Sequence, residues 1–270
     1  MQKLVLKLGG ELLETADQRL RIAALAAGVA AKRPLVIIHG GGRAIDADLA
    51  RRQIAPEKVD GLRVTDAQTL EAVVAVLAGS ANTELVAALV GAGVRAVGLT
   101  GVDAGFGRSE RAGAHRSTTG DLVDLGLVGD PVDIDPALVA LLLSAGYVPV
   151  VASLGLDTAG AGILNVNADV MACRLAAALG KAELVIAGGT AGVLSRDGAS
   201  IAQLDLDGMD EAIATGTATA GMVAKLSACR TALLAGVSPI RLIDGRVLDG
   251  AHSIAAAPGT TLTAAIPSAR

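Results

Sequence analysis

The stretch Pro34-Leu35-Val36-Ile37-Ile38-His39-Gly40-Gly41-Gly42-Arg43 decides the fold. Its apolar run is short, has no polar position between Leu35 and Ile38, and stops on glycines before a helical pattern. A strand with one wet face alternates apolar and polar residues, whereas an unbroken apolar run is covered on both faces, as in a parallel sheet lined by helices. Lys3–Leu8 is a second such strand, closing on Gly9-Gly10, and the Ala- and Leu-rich Arg19–Ala31 between the two reads as a helix.

Working outward, the alternation of strand and helix continues. Helices are predicted over Arg43–Gln53 and over Asp66–Gly91, the latter running through Gly79-Ser80, and a strand over Val94–Leu99. Gly101–Thr119 is rich in Gly, Ser and Arg with weak periodicity and is expected to be a mobile loop. Asp121–Asp135 alternates through Leu122, Val123, Leu125, Leu127, Val128, Val132 and Ile134, which predicts antiparallel ribbon. Pro136–Ala145 reads as a helix opened by proline, whose missing N–H is harmless there, and Tyr147–Ala152 as a strand. The second half supplies helices at Asp169–Leu179, Asp210–Thr215 and Gly221–Ala235 and strands at Glu183–Ala187 and Pro239–Ile243. The class is α/β with a mostly parallel sheet. The 270 residues suit one domain, 1–270, whose halves share a continuous sheet with a functional boundary near residues 160–180.

Composition excludes several functions. Phe106 and Tyr147 are the only aromatic residues, which removes the stacking platforms of single-stranded nucleic-acid binders. A net charge of −4 without a long Lys/Arg cluster argues against a phosphate-backbone footprint, so no nucleic-acid partner is expected. Mean hydropathy is high at +0.56, yet no apolar run is expected to reach the roughly 18–20 residues of a membrane span. Met1–Lys7 enters a strand directly, leaving no room for a signal peptide, so a cytosolic protein is expected. Cys173 and Cys229 lie singly in helical segments without a CxxC pair and read as small core residues, with no metal site expected.

No GxxxxGK[ST], GxGxxG or GxSxG occurs. What remains is a set of glycine-rich strand ends: Lys7-Leu8-Gly9-Gly10, His39-Gly40-Gly41-Gly42 and Gly188-Gly189-Thr190-Ala191-Gly192. Glycines let backbone N–H groups approach an anion with a helix N-terminus behind them, and Lys7 adds a point charge suited to phosphate. Ala220-Gly221-Met222-Val223-Ala224-Lys225 places a second lysine in a first helical turn, where the helix dipole disfavours it unless an anion is near. In Asn165-Val166-Asn167-Ala168-Asp169 an N-cap accounts for one polar residue of three. In Gly61-Leu62-Arg63-Val64-Thr65-Asp66 capping accounts for Thr65 or Asp66 but not for Arg63, which suits bidentate binding of a carboxylate. His39 beside its glycine turn reads as a structural hydrogen bonder, and His115 and His252 carry no chemical signal.

Order and spacing of these pieces resemble the amino acid kinase family, and within it the branch acting on an acylated glutamate. The matching motifs are KLGG at 7–10, HGGG at 39–42, GLRVTD at 61–66, LVDLGLVGD at 122–130, NVNAD at 165–169, GMVAK at 221–225 and IDGRV at 243–247. The resemblance implies a three-layer αβα sandwich. It also implies ATP-dependent phosphorylation of the side-chain carboxylate of N-acetyl-L-glutamate, giving N-acetylglutamyl 5-phosphate in arginine biosynthesis. Lys7 and Lys225 would flank the transferring phosphoryl group, Asp169 would hold both lysines, and Gly10 would donate a backbone N–H. Gly41, Gly42, Arg63 and Asn165 would bind the acceptor. ATP, with Mg2+ on its phosphates, would lie near Gly188, Gly189, Gly192, Leu194, Gly221 and Met222. Residues 1–160 would form the acceptor-binding and dimerisation lobe and 161–270 the nucleotide-binding lobe. A homodimer without arginine feedback is expected, because an extra N-terminal helix is missing.

The chemistry suits the residue types independently of the resemblance. A carboxylate acceptor is already ionised at pH 7 and needs no general base, so positioning and charge neutralisation carry the transfer. Two departures from the family pattern stand out: Gly188-Gly189 replaces a Ser/Thr-Asp pair, and Ala220 replaces a Gly or Asp. The first motivates a non-catalytic ligand-binding reading of the same fold. A longer acceptor such as N-acetylaminoadipate, possibly on a carrier protein docked through Arg108, Arg111 and Arg116, is the other alternative.

Overall fold

The computed structural model describes residues 2–117, 119–218, 220–248 and 254–265. In chain order its elements are β1 (Lys3–Leu8), α1 (Ala16–Ala30), β2 (Leu35–His39), α2 (Gly42–Arg51), β3 (Lys58–Val59), β4 (Leu62–Arg63) and α3 (Ala67–Val74). A π-helical stretch, Ala75–Ala81, joins α3 to α4 (Asn82–Gly91) without a break. Next come β5 (Ala96–Thr100), β6 (Gly107–Arg111), β7 (His115–Arg116), β8 (Leu122–Val123), β9 (Val128–Ile134), α5 (Ala137–Ser144), β10 (Val148–Ala152), β11 (Leu154–Asp157) and β12 (Ile163–Val166). The remainder is α6 (Ala168–Leu179), β13 (Ala182–Gly188), β14 (Gln203–Leu204), α7 (Leu206–Ala214), α8 (Ala220–Leu234), β15 (Ile240–Asp244) and β16 (Gly259–Leu262).

Eight strands form the central sheet in the order β14-β16-β15-β13-β1-β2-β10-β5. From β15 to β5 neighbours are parallel, and β16 joins β15 antiparallel. Strand periodicity sorts the side chains into two cores, giving the three-layer αβα sandwich. Val5, Val36 and Ile38 face Met171 and Leu175 of α6 and Leu226 and Leu233 of α8. Leu4, Leu6, Leu35 and Ile37 face Ile22 and Leu25 of α1 and Leu85 and Leu89 of α4. Lys7 shares the parity of Val5, which is what aims it toward α6.

Several segments depart from the sequence reading; α7, for instance, begins at Leu206 rather than Asp210. Gly101–Thr119 is not a loop throughout: β6 pairs antiparallel with β9 and parallel with β11, closing a small barrel β11-β12-β9-β6. Its inward positions are Gly107 and Ser109 and its outward ones are charged, so hydropathy shows nothing there. Asp121–Asp135 gives antiparallel pairing for β8 and β9, but β9 also pairs parallel with β12. α1 begins at Ala16 rather than Arg19, because Thr15 and Gln18 form a capping box. Finally, the continuous helix Ala67–Gly91 is, by length and composition, long and apolar enough to cross a membrane, contrary to the sequence expectation. In this fold it packs on the sheet, with Val73, Leu77, Leu85 and Leu89 buried and Glu84 paired with Arg19.

Candidate active site

The site gathers where β1, β2, α6 and α8 meet. Asn167 caps α6, its side chain accepting the backbone N–H groups of Asp169 and Val170, and this sets Asp169 in the first turn. Asp169 lies between the two lysines: Oδ1 is 2.8 Å from Lys7 Nζ and Oδ2 is 2.6 Å from Lys225 Nζ. Burial alone would push the Asp169 carboxyl up, but the attraction of Lys7 and Lys225 overrides it and holds the group well below the usual carboxylate range. For Lys225 burial works against the charge, and the Asp169 carboxylate outweighs it, so its pKa rises. Lys225 therefore stays charged against Asp169.

Lys7 and Asp169 also wall a cavity of about 230 Å³ shared with Gly41, Gly42, Arg63 and Asn165. Gly41 caps α2 and Gly42 begins it, leaving first-turn N–H groups unpaired by the helix and suited to an anion. Gly10 must be glycine: a Cβ there would come 2.8 Å from Gly41 Cα and 3.1 Å from the Gly42 nitrogen. Lys7 and Asp169 thus share one cleft with Gly41, Gly42, Arg63 and Asn165, the residues expected from the sequence to bind the acceptor.

Arg63, from the β3–β4 hairpin, is buried and donates through Nη2 to the Gly42 carbonyl and the Asp46 carboxylate. Its Nη1 is buried without a partner. A guanidinium nitrogen left unpaired costs free energy unless a ligand completes it, and a carboxylate in the cavity has the matching shape. Asn165 Nδ2 donates to Thr65 Oγ1 at 3.1 Å, which in turn donates to the Arg63 carbonyl. Sequence reasoning missed Asp46 and Lys58, a pair 2.7 Å apart that braces Arg63 at the cavity wall. Nothing local in either sequence segment signals it, since the pairing depends on the hairpin folding back over α2.

His39 is wholly buried, and its Nδ1 donates to the Gly40 carbonyl while Nε2 accepts from Asn82 Nδ2. Burial lowers its pKa to about 4, with the Gly40 hydrogen bond opposing only in part. It is a neutral, structural histidine. His115 pairs with Asp60 outside the cavity, and His252 lies outside the described residues.

The residues expected on the nucleotide side lie at and after the end of β13 and at the start of α8. Gly188 ends β13 and Gly189 follows it, while Gly221 and Met222 open α8, Met222 packing against the core. Gly192 has φ +80° and approaches Thr260 so closely that a Cβ would lie 2.5 Å from the Thr260 nitrogen, so the fold itself requires glycine there. Leu194 is partly exposed and bridges to Ser200. Beyond it a cavity of about 470 Å³ opens between Ser195-Arg196 and Thr215–Thr217 of the α7 end, a feature with no motif in the sequence. Among the described residues no three His, Cys, Asp or Glu side chains converge to hold a metal ion. A divalent ion at this site would be carried chiefly by phosphate oxygens.

Two cations bridged by an acid, set against helix N-termini at the ends of parallel strands, make a cleft built for phosphoryl transfer. The chain belongs to the amino acid kinase family, whose model matches residues 2–244. It is 41% identical over 252 residues to the acetylglutamate kinase of Symbiobacterium thermophilum, covering 90% of this chain and 84% of that protein. It is 43% identical over 213 residues to the acetylglutamate kinase of Chromobacterium violaceum, covering 78% and 73%. Among solved structures, a protein of Streptococcus mutans UA159 superposes with a TM-score of 0.79 at 28% identity over 97% of this chain and 99% of that one. The N-acetylglutamate synthase of Neisseria gonorrhoeae shares the fold, with a TM-score of 0.80 at 24% identity over 98% of this chain and 60% of that one.

Proposed function

We propose that this kinase transfers the γ-phosphoryl group of ATP to the side-chain carboxylate of N-acetyl-L-glutamate, releasing ADP and N-acetylglutamyl 5-phosphate. The observation that carries the reading is the unpaired Nη1 of buried Arg63, in the same cavity as the Lys7–Asp169 pair. Arg63 and Asn165 hold the acceptor, with Arg63 on a carboxylate, and the Gly41 and Gly42 N–H groups orient it toward Lys7. Among the described residues lining the acceptor cavity the one acid, Asp169, is engaged by two lysines, and His39 behind it is buried and neutral. A hydroxyl acceptor would need a free base, whereas an ionised carboxylate does not. Its obstacle is anion approaching anion, which Lys7, Lys225 and the helix N-termini offset.

ATP lies along the Gly188–Leu194 turn and the start of α8, and Mg2+ on its phosphates supplies further charge neutralisation. In this arrangement residues 1–160 serve the acceptor and 161–270 the nucleotide. We further propose a cytoplasmic homodimer joined through helices of the acceptor half. In support, only a third of the most apolar window of Ala67–Gly91 is buried within the chain, and Val90 on it is 53% exposed.

The test is turnover with ATP and Mg2+, the acyl phosphate trapped by hydroxylamine, on N-acetyl-L-glutamate, N-acetylaminoadipate and free glutamate. Turnover on N-acetyl-L-glutamate is expected. Turnover only on the longer acid would move the substrate by one methylene, a difference worth about 1–3 kcal/mol in a pocket. Ligand binding without turnover on any acceptor would establish the non-catalytic reading that Gly188-Gly189 motivates.

A further inference from the structure

Glu11 follows the Lys7-Leu8-Gly9-Gly10 turn, and no motif assigns it a role. Leu8 pairs with Ala187 and the Gly9 N–H donates to the Ala187 carbonyl, so the turns after β1 and β13 lie side by side. The Glu11 carboxylate sits over both. A Cβ on Gly188 would be 3.5 Å and one on Gly189 3.6 Å from Glu11 Oε1, and a Cβ on Gly9 would overlap the carboxylate, 2.6 Å from its carbon. Gly9 leaves the room that the carboxylate fills, a Cβ at 188 or 189 would meet it in ordinary contact, and a longer side chain at 189 would have to share its space.

This acid has no salt-bridge or hydrogen-bond partner at its carboxylate among the described residues, yet it is close enough to Lys225 to favour that lysine's charged form. Around the two lysines the formal charges then balance: Lys7 and Lys225 against Asp169 and Glu11. A neutral cluster holds a polyphosphate poorly, and a bare carboxylate beside phosphates repels them, unless a cation comes between. Mg2+ fits that position, because it keeps most of its waters and is commonly held by one or two carboxylates together with substrate phosphates.

We propose that Glu11 is the nucleotide-side carboxylate of this kinase, facing the hydrated divalent ion on the ATP phosphates and making nucleotide binding depend on that ion. The proposal rests on the phosphoryl-transfer reading and adds a positioning residue to it.

Calorimetric titration of ADP into the full chain, with Mg2+ and with EDTA, tests it. For Glu11→Gln the gain in ADP affinity conferred by Mg2+ should shrink on the order of tenfold, the usual effect of losing a partner of a metal's bound water. Affinity for metal-free ADP should hold or rise, and affinity for N-acetyl-L-glutamate should be unchanged. Adding Gly189→Asp to Glu11→Gln should restore the gain, since Gly189 is not among the positive-φ glycines and its backbone accepts a side chain. An undiminished Mg2+ gain in Glu11→Gln would overturn the proposal. So would an equal loss of ADP affinity with and without the ion, which would place Glu11's effect on Lys225 or on the fold. A wild-type chain that binds no ADP under either condition would overturn the kinase reading itself.

Discussion

Replacing Asp169 by Asn removes the anion between two ammonium groups while keeping the side-chain shape. In the wild-type chain those contacts are 2.8 and 2.6 Å, and the side chains of Lys7 and Lys225 are only 11% and 18% exposed. Removing one member of a buried ion pair costs about 3–5 kcal/mol, and here two cations are stranded at once with some access to water. A loss of about 3 kcal/mol at pH 7 is therefore expected, read as a lowered urea midpoint with unchanged m-value. The pH dependence carries a second signature. Because the folded-state carboxyl of Asp169 is depressed, its contribution is fully present above the unfolded carboxylate value of about 3.9 and fades as pH falls below it. Wild-type stability should fall from about pH 5 downward, and Asp169→Asn should fall less steeply over that interval. Turnover should drop by a factor on the order of 10²–10³, as for the loss of one preorganised charge contact. Stability within about 0.5 kcal/mol of wild type, the spread of neutral surface changes, would refute the bridging role.

Three further outcomes follow from the geometry. Arg63→Lys keeps the charge but cannot span the Gly42 carbonyl, Asp46 and a ligand together; KM for the acceptor should rise roughly tenfold or more with a smaller change in kcat, measured by initial rates. Lys225→Ala should lower kcat by on the order of 10²–10³ while leaving acceptor affinity intact, measured by turnover and calorimetry side by side. Gly10→Ala should displace the start of α2, since its Cβ would meet Gly41 Cα at 2.8 Å, and lower both thermal stability and acceptor affinity, measured by a melting scan and a binding titration.

The bounds of β1 and β2 were legible to the residue because burial on both faces leaves no polar position to blur them in Leu35–Ile38. The barrel strands were not legible. Gly107-Arg108-Ser109-Glu110-Arg111 turns only Gly107 and Ser109 inward, so the strand's signature is smallness rather than hydropathy. β16 escaped notice because its place is fixed by antiparallel pairing with β15 and not by any pattern of its own. In the site, residues carried by contiguous motifs, such as Lys7, Asp169 and Lys225, were found from the sequence, and the structure brings all three together. Asp46 and Lys58 were missed for one reason: each gains meaning from a partner distant in the chain, across the hairpin that folds over α2.

The position of β1 has a consequence for how the molecule is made and how it moves. Its Lys3 pairs with Ala182 on one flank, while Leu4 pairs with Leu35 on the other. β1 therefore waits after synthesis, with one edge bare, until β13 has been made, a nonlocal closure of the kind that slows folding. The same seam argues against a cut near residue 160: a fragment ending there would keep β1 but present its open edge to any other strand in solution. Any motion of one half of the chain against the other would be taken up within this continuous sheet, whose strand β1 also carries Lys7.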